Sequence, residues 1–256
     1  MATDLDGTIV RGDGTISPRT VAAFAGAEAA GARFVLVTGR PPRVMRGIAA
    51  VFGHRGTAIC ANGALAYDMR TDTIEPLHLI PPPVLAATAA ALRAAVPGIG
   101  IAVEYPDGNA ADELFQAIAW DLDIARLGDA ALFGQPASKL LGRHLSYSCD
   151  DLLALVEPAI GGLVSVTHSN GKALIEAAAL GVSKATAVAE LAARHGIGRQ
   201  SVLAFGDMPN DLPLLAWAGV SCAVANAHPE VLAAAGHVIG ANDDDGVAAY
   251  LEKLFP

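Results

Sequence analysis

Short apolar runs alternate with helix-length amphipathic stretches along this chain. Residues 34–37 form one such run, and a helical pattern follows at 44–52. Residues 202–205 form another, and a helical pattern follows at 212–217. Continuous apolar strands separated by helices are typical of a parallel sheet that is covered on both faces. The pattern therefore predicts an α/β protein with a mostly parallel central sheet flanked by helices.

The pattern changes at Pro81-Pro82-Pro83, a stiff extended segment that interrupts the alternation. The elements predicted after this break are helices at 84–95 and 151–160 and strands at 100–105, 163–168 and 173–177. The last two strands are joined by Ser169-Asn170-Gly171-Lys172, whose Asn-Gly pair favours a hairpin turn. We interpret 82–181 as an inserted α+β domain. Residues 1–81 and 182–256 would then form one discontinuous core domain.

Composition excludes several classes of protein. The 256 residues are 53% hydrophobic, and 26 Asp and Glu against 17 Lys and Arg give a formal net charge of −9. Because phosphate neutralisation needs clustered basic residues, we expect no nucleic-acid partner. No stretch of about 20 apolar residues is present, so we expect no membrane partner. The three cysteines form no CxxC pair, and no basic, apolar leader opens the sequence, which favours a cytoplasmic location.

Two carboxylates stand two residues apart near the start of the chain, in Asp4-Leu5-Asp6-Gly7-Thr8. Only three residues precede Asp4, so we expect the strand before it to be short. Residues i and i+2 of a strand point to the same side, and Asp4 and Asp6 are therefore expected to converge. Converging carboxylates repel each other unless a cation lies between them, and their hard oxygens suit Mg²⁺.

A second acidic cluster, Gly206-Asp207-Met208-Pro209-Asn210-Asp211, also follows an apolar run. In doubly wound sheets, ligands bind outside the carboxyl ends of the strands, so both clusters are expected to face one crevice. Gly181-Val182-Ser183-Lys184 opens a helical pattern with Ser183 as the predicted N-cap. A lysine in the first turn is unfavourable to the helix dipole, and an anionic ligand at this position would compensate for it.

Four motifs in this order resemble those of the haloacid dehalogenase superfamily. They are Asp4-Leu5-Asp6-Gly7-Thr8, Thr38-Gly39-Arg40, Ser183-Lys184, and the cluster from Gly206 to Asp211. The segment between the second and third motifs resembles the type-IIB α/β cap of the Cof-type sugar-phosphatase branch. Supporting similarities are Ala223-Val224-Ala225-Asn226-Ala227 and Asp245-Gly246-Val247. The resemblance implies a Rossmann-like core with an inserted cap that selects the substrate.

The resemblance also implies the role of each motif residue. Asp4 would be the nucleophile that forms an aspartyl-phosphate, and Asp6 the general acid and base. The residues that it implies for binding the transferred phosphoryl group are Gly7, Thr38, Gly39, Lys184 and Asn210. Those that it implies for Mg²⁺ are Asp4, Asp6, Asp207 and Asp211. The expected activity is the Mg²⁺-dependent hydrolysis of a small phosphorylated metabolite, a sugar or polyol phosphate.

Residues outside the main motifs are candidates for contacts with the rest of the substrate. They are Arg40, Asn62, Gly63, Lys139, His168 and Glu176. Glu104, Gln116, Trp120 and Arg143, which lie in the inserted segment with Lys139 and His168, are further candidates for reading the leaving group. The run Asp243-Asp244-Asp245 is interpreted as a solvated turn.

Two alternatives to a phosphatase remain open on the sequence. A phosphomutase or phosphotransferase uses the same motifs and delivers the phosphoryl group to a sugar hydroxyl instead of to water. A phospholigand-binding protein without turnover belongs to a different class, and the presence of Asp6, Lys184 and Asp207 is evidence against it.

Overall fold

The computed structural model describes residues 1–117, 123–168 and 173–256. The chain divides into two compact units. One, the core unit, comprises Met1–Glu75 and Ser183–Pro256, and the other, the inserted unit, comprises Pro76–Val182. The predicted boundaries lay at 81/82 and 181/182. That the inserted unit selects the substrate stays a prediction.

The strands are, in chain order, β1 (Ala2–Thr3), β2 (Val35–Val37), β3 (Thr57–Cys60), β4 (Leu65–Asp68), β5 (Thr73–Pro76), β6 (Gly100–Glu104), β7 (Asn109–Ala111), β8 (Ala125–Arg126), β9 (Lys139–Arg143), β10 (Val164–Thr167), β11 (Leu174–Ala179), β12 (Leu203–Gly206), β13 (Val220–Val224) and β14 (His237–Ile239). The helices are α1 (Pro18–Ala29), α2 (Arg46–Val51), α3 (Pro82–Ala95), α4 (Asp129–Leu132), α5 (Cys149–Ile160), α6 (Lys184–Arg194), α7 (Leu212–Trp217), α8 (Pro229–Ala234) and α9 (Gly246–Leu254). Short 3₁₀ turns occur at Pro42–Val44, Ala61–Gly63, Arg199–Ser201 and Pro209–Asp211.

The core unit is built on a sheet with the order β14-β13-β12-β1-β2-β3-β4-β5. All neighbours from β14 to β3 pair in parallel, and β4 is antiparallel to β3. Helices α1 and α9 pack together, as do α6 and α7. The predicted α/β class with a mostly parallel sheet is thereby confirmed.

The first strand is as short as the sequence predicts, yet it lies at the centre of the sheet. β1 pairs with β12 on one side and with β2 on the other. The Asp4 N–H extends the pairing by donating to the Phe205 carbonyl at 3.0 Å, and the Val35 N–H donates to the Met1 carbonyl at 2.9 Å. Successive strands are added on one side of β1 from β2 to β3 and on its other side from β12 to β14, so the carboxyl end of β1 is the switch point at which α/β proteins bind ligands.

The inserted unit has its own antiparallel sheet, in which the strand order is β10-β11-β9-β6-β7-β8 and only β7 and β8 pair in parallel. Helices α3 and α5 pack together, and their buried leucines and valines share one apolar core with one face of this sheet. The predicted hairpin at residues 169–172 lies outside the described residues.

Two sequence expectations about helices come out differently. Pro81 is extended, as predicted, but Pro82 and Pro83 form the first turn of α3 instead of a separate break. The first helical turn tolerates proline because its N–H groups have no intrahelical partner. The predicted helix at 44–52 divides into the turn Pro42–Val44 and α2. Among the described residues, no helix has both the length and the hydropathy needed to cross a bilayer.

Close packing in the inserted unit depends on Gly100 of β6. A Cβ atom at this position would lie 2.3 Å from the Cα of Phe115, which is backbone and has little room to move. We expect Gly100→Ala to lower the free energy of unfolding by about 1–3 kcal/mol. Urea unfolding followed by circular dichroism measures the loss.

The matched control is Gly108→Ala in the same unit. A Cβ atom there would have no neighbour within 4 Å, so we expect a change within about ±0.5 kcal/mol. Equal effects of the two substitutions would contradict the packing argument.

Candidate active site

Polar residues follow three adjacent parallel strands of the core sheet. Asp4 comes directly after β1, Thr38 after β2 and Asp207 after β12. Since parallel strands end at the same edge of a sheet, the three side chains are delivered to one place. All three residues are buried.

A buried ammonium group lies between two of the predicted site carboxylates. Lys184 Nζ is 2.6 Å from Asp4 Oδ1 and 2.6 Å from Asp211 Oδ1. Helix α6 delivers this lysine at its first position, and the helix begins at the predicted N-cap, Ser183, whose hydroxyl accepts from the Thr186 N–H. The sequence predicts an anionic ligand beside Lys184, and the anionic groups that bond to it in this structure are instead carboxylates of the protein itself.

Three carboxylates form the centre of the site. One oxygen from each of Asp4, Asp207 and Asp211 lies within 4.8 Å of the others, and all three residues are buried. Asp211 is fully occupied: its Oδ1 accepts from Lys184, and its Oδ2 accepts from the N–H groups of Asp207 and Met208 at 3.0 and 3.1 Å. Asp211 thus holds the 207–211 loop together and orients Lys184.

The pKa values of these groups reflect their burial. Burial, with the nearby carboxylates, raises the pKa of Asp4 to about 7 although Lys184 opposes the rise. Burial and the charges of Asp4 and Asp211 raise the pKa of Asp207 to about 9. For Lys184, burial acts to lower the pKa, but Asp211 and Asp4 outweigh it and raise the pKa above its usual value. The cluster is therefore short of positive charge.

Two glycines make this crowding possible. A Cβ atom on Gly206 would lie 2.5 Å from the Cβ of Asp211, and one on Gly7 would lie 2.3 Å from Oδ2 of Asp207. Gly7 also has a φ of +80°, which residues with a side chain rarely adopt. Both glycines stand where the backbone approaches a site carboxylate.

The carboxylate of Asp6 lies outside this cluster, contrary to the predicted convergence of four. Its side chain is 46% exposed and accepts hydrogen bonds from Nε and Nη2 of Arg40, the former at 2.7 Å. The prediction failed because β1 ends at Thr3, so the alternation of a strand does not extend to Asp4 and Asp6.

Thr8 of the first motif has a direct role in the geometry of the site. Its hydroxyl donates to Asp207 Oδ1 at 3.0 Å, and its backbone N–H donates to the Leu5 carbonyl at 3.2 Å. The Thr8 N–H is thus already engaged and is not free for a ligand. Its position directly after Gly7 was the signal in the sequence.

Thr38 and the two candidate asparagines come together beside this cluster. The Thr38 hydroxyl accepts from the Arg40 N–H at 3.0 Å, and the Thr38 carbonyl accepts from the Asn62 N–H at 3.0 Å. Asn210 donates to the Asn62 side chain at 3.1 Å. Asn62 and Gly63 have φ values of 56° and 116°, so the turn after β3 doubles back towards Thr38. Gly39 lies directly after Thr38.

The remaining substrate candidates lie in the inserted unit. Lys139 of β9 is buried and contacts Glu176 of β11 at 3.1 Å and Glu104 of β6 at 3.9 Å. His168 is buried and its Nε2 is 2.7 Å from Asp150 Oδ1. That these residues contact substrate stays a prediction.

Comparison with known proteins agrees with the motifs. A model of the haloacid dehalogenase-like hydrolases matches residues 1–93 and 130–251. The chain belongs to this hydrolase family. The resemblance drawn from the four motifs is thus confirmed, and with it the prediction that the protein is an enzyme.

Relatives match over nearly the whole chain. A 5-amino-6-(5-phospho-D-ribitylamino)uracil phosphatase of Escherichia coli is 28% identical and covers 99% of this chain and 95% of its own length. A pyridoxal phosphate phosphatase of the same organism is 27% identical and covers 98% and 96%. A solved subclass IIB sugar phosphatase of the superfamily superimposes with a TM-score of 0.84 at 21% identity, covering 99% of this chain and 97% of that one. The fold is therefore that of subclass IIB.

The cluster has the donor set that a magnesium ion prefers. Asp4 and Asp207 offer hard carboxylate oxygens, and burial together with the charges of neighbouring carboxylates raises the pKa of each although Lys184 opposes the rise. A Cβ atom on residue 7 would lie against Oδ2 of Asp207. Because Gly7 has no side chain, this oxygen is left open on the side that faces Gly7. The residues present thus fit a divalent cation.

These pKa values predict how stability depends on pH. In the folded protein Asp4 and Asp207 keep protons that the unfolded chain releases near pH 3.8. Their contribution to stability is present below that pH and is lost as the pH rises towards about 9. We expect the Tm of the metal-free protein to fall over this range and Mg²⁺ to raise it more at about pH 8 than at about pH 5.

Differential scanning fluorimetry with and without Mg²⁺ measures both effects. Asp207→Asn is the matched variant, since it removes one repelling carboxylate and should flatten the pH dependence. A Tm that responds neither to pH nor to Mg²⁺ would show that the cluster is not short of positive charge.

Proposed function

We propose that this hydrolase is a Mg²⁺-dependent phosphatase that cleaves small phosphomonoesters through an aspartyl-phosphate on Asp4. The observation that carries the proposal is the buried group of Asp4, Lys184 and Asp207 at the carboxyl ends of β1 and β12. A carboxylate nucleophile beside a fixed ammonium and a second carboxylate is suited to phosphoryl transfer, in which positioning and charge supply most of the catalysis.

The proposed substrates are sugar or polyol phosphates. The curated relatives are named for a phosphorylated ribityl compound and for pyridoxal phosphate, both small phosphomonoesters. The structural neighbour is named a sugar phosphatase. Arg40, Asn62, Gly63, Lys139, His168 and Glu176 are the proposed substrate contacts, and their hydrogen-bonding groups suit a hydroxylated leaving group.

In the first step an oxygen of Asp4 attacks phosphorus and the ester P–O bond breaks. The electron pair passes to the leaving oxygen, which takes a proton from Asp6. In the second step Asp6 removes a proton from water, which attacks phosphorus and releases Asp4 and inorganic phosphate. Arg40 donates to both oxygens of Asp6 and so fixes the orientation of this carboxylate.

Other residues hold the transferred group. Lys184, Thr38 and Asn210, with backbone N–H groups near Gly7 and Gly39, would bind the three phosphoryl oxygens. Asp4 and Asp207 would hold Mg²⁺, with Asp211 acting through Lys184 and the loop and the Asp6 carbonyl as a further ligand. When bound, Mg²⁺ neutralises the carboxylates and polarises the phosphoryl group.

The direct test is the release of inorganic phosphate from a panel of sugar, polyol and nucleoside monophosphates in the presence of Mg²⁺. We expect activity that chelation with EDTA abolishes and added Mg²⁺ restores. Activity unaffected by chelation would contradict the proposed metal dependence.

Asp4→Asn tests the nucleophile. The substitution keeps the size of the side chain but removes the anionic oxygen that attacks phosphorus, so we expect kcat to fall by at least about 10³-fold. Asp13→Asn is the control, because Asp13 is exposed and bonds to Thr15 in a surface turn. Unchanged turnover in Asp4→Asn would exclude the aspartyl-phosphate.

A further inference from the structure

Two asparagines outside the four motifs hold the turn that contains Asp6. Asn226, after β13, donates from Nδ2 to the Gly7 carbonyl at 2.8 Å. Its Oδ1 accepts from the Asn242 N–H at 2.9 Å, and Asn242 in turn donates from Nδ2 to the Val10 carbonyl at 2.9 Å. The two side chains therefore connect the loops after β13 and β14 to both ends of the turn at residues 7–10.

The segment that follows the turn is held by the acidic run. The Gly12 N–H donates to Asp243 Oδ1 at 2.8 Å, and Arg11 pairs with Asp245 at 2.7 Å. The run was interpreted as a solvated turn, but two of its three carboxylates bind the segment after the first motif.

The path of the 240–246 loop is fixed by a contact between two glycines. A Cβ atom on Gly246 would lie 1.8 Å from the Gly240 carbonyl oxygen, so the two backbones touch. Asp245 has a φ of 56° at the start of α9. The path of this loop is therefore fixed by backbone contacts.

The turn itself places the groups that the chemistry needs. The Leu5 carbonyl accepts from the N–H groups of Thr8, Ile9 and Val10 at 3.2, 3.0 and 2.8 Å, which closes the turn directly after Asp6. Gly7 lies against Asp207, and Thr8 donates to it. A shift of the Gly7 peptide would thus move the backbone that carries Asp6 relative to the buried Asp207.

We propose that Asn226 and Asn242 are positioning residues that fix the turn through the Gly7 and Val10 carbonyls and so set where Asp6 delivers its proton. The proposal rests on the proposed function, in which Asp6 is the general acid. The half-exposed side chain of Asp6 is held by Arg40. The two asparagines instead hold the backbone of the turn that carries Asp6.

The dependence on the leaving group separates positioning of the acid from general damage. As Asp4 bonds to phosphorus, an alkoxide leaving group needs a proton from Asp6, whereas p-nitrophenolate is stable enough to leave without one. A misplaced Asp6 therefore lowers kcat/KM for an alkyl phosphate more than for p-nitrophenyl phosphate. A loss of folded protein lowers both by the same factor.

The test compares kcat/KM for glycerol 2-phosphate and p-nitrophenyl phosphate in Asn226→Asp and Asn242→Asp. Each substitution keeps the shape of the side chain but replaces the Nδ2 donor that faces a carbonyl by an oxygen. We expect kcat/KM for glycerol 2-phosphate, divided by kcat/KM for p-nitrophenyl phosphate, to fall by about tenfold or more. The reason is that a small displacement of a catalytic group lowers the rate strongly. An unchanged ratio in both variants would overturn the proposal.

Asp244→Asn is the matched control, because this exposed carboxylate lies in the same loop between Asp243 and Asp245. We expect its ratio to equal that of the wild-type protein, and a fall as large as in the asparagine variants would also count against the proposal.

Hydrogen exchange measured by mass spectrometry gives a readout that does not depend on activity. We expect the amides of Thr8, Ile9 and Val10 to exchange faster in both asparagine variants than in the wild-type protein. Unchanged exchange rates would contradict the proposal that the two asparagines hold the turn in place. If the wild-type protein released phosphate from no phosphomonoester, the proposed function would fail, and the exchange result would still decide whether the asparagines hold the turn.

Discussion

The buried ammonium of Lys184 between Asp4 and Asp211 is the interaction on which the rest of the site depends. Charges removed from water are tolerated only where opposite charges and hydrogen bonds compensate for the lost hydration. Three elements must therefore arrive together: the start of α6, the end of β1 and the turn at Pro209–Asp211. Removing Lys184 would leave both carboxylates without the cation that they share, whereas removing either carboxylate leaves Lys184 paired with the other.

The charges of this buried group do not balance. Lys184 supplies one positive charge to Asp4, Asp207 and Asp211, and burial together with the charges of neighbouring carboxylates raises the pKa values of Asp4 and Asp207. Glycines at 7 and 206 allow the backbone to approach so closely that the carboxylates stay crowded. In the proposed reaction Mg²⁺ would relieve this repulsion, and the site of an acidic protein would then be able to bind an anionic ester.

Asp6 is built differently from this rigid centre. It lies on a turn, is half-exposed and pairs with Arg40, while the backbone on either side is held by the Leu5 carbonyl and by Asn226 and Asn242. The buried position of Asp4 suits a nucleophile, and the half-exposed position of Asp6 suits the general acid and base of the proposed reaction. Asp243 and Asp245 of the acidic run hold the segment that follows the turn of Asp6.

Local patterns were enough to predict the α/β class, the helix at 212–217 and the N-cap at Ser183, because each depends on neighbours along the chain. Only the tertiary structure decided three sets of contacts. They are the bonds of Lys184 to its carboxylates, the pairing of Asp6 with Arg40, and the hydrogen bond from Asn226 to the Gly7 carbonyl. These contacts join residues 27 to 219 positions apart. Sheet order and the end of β1 at Thr3 place them together, and neither is encoded in the spacing of a motif.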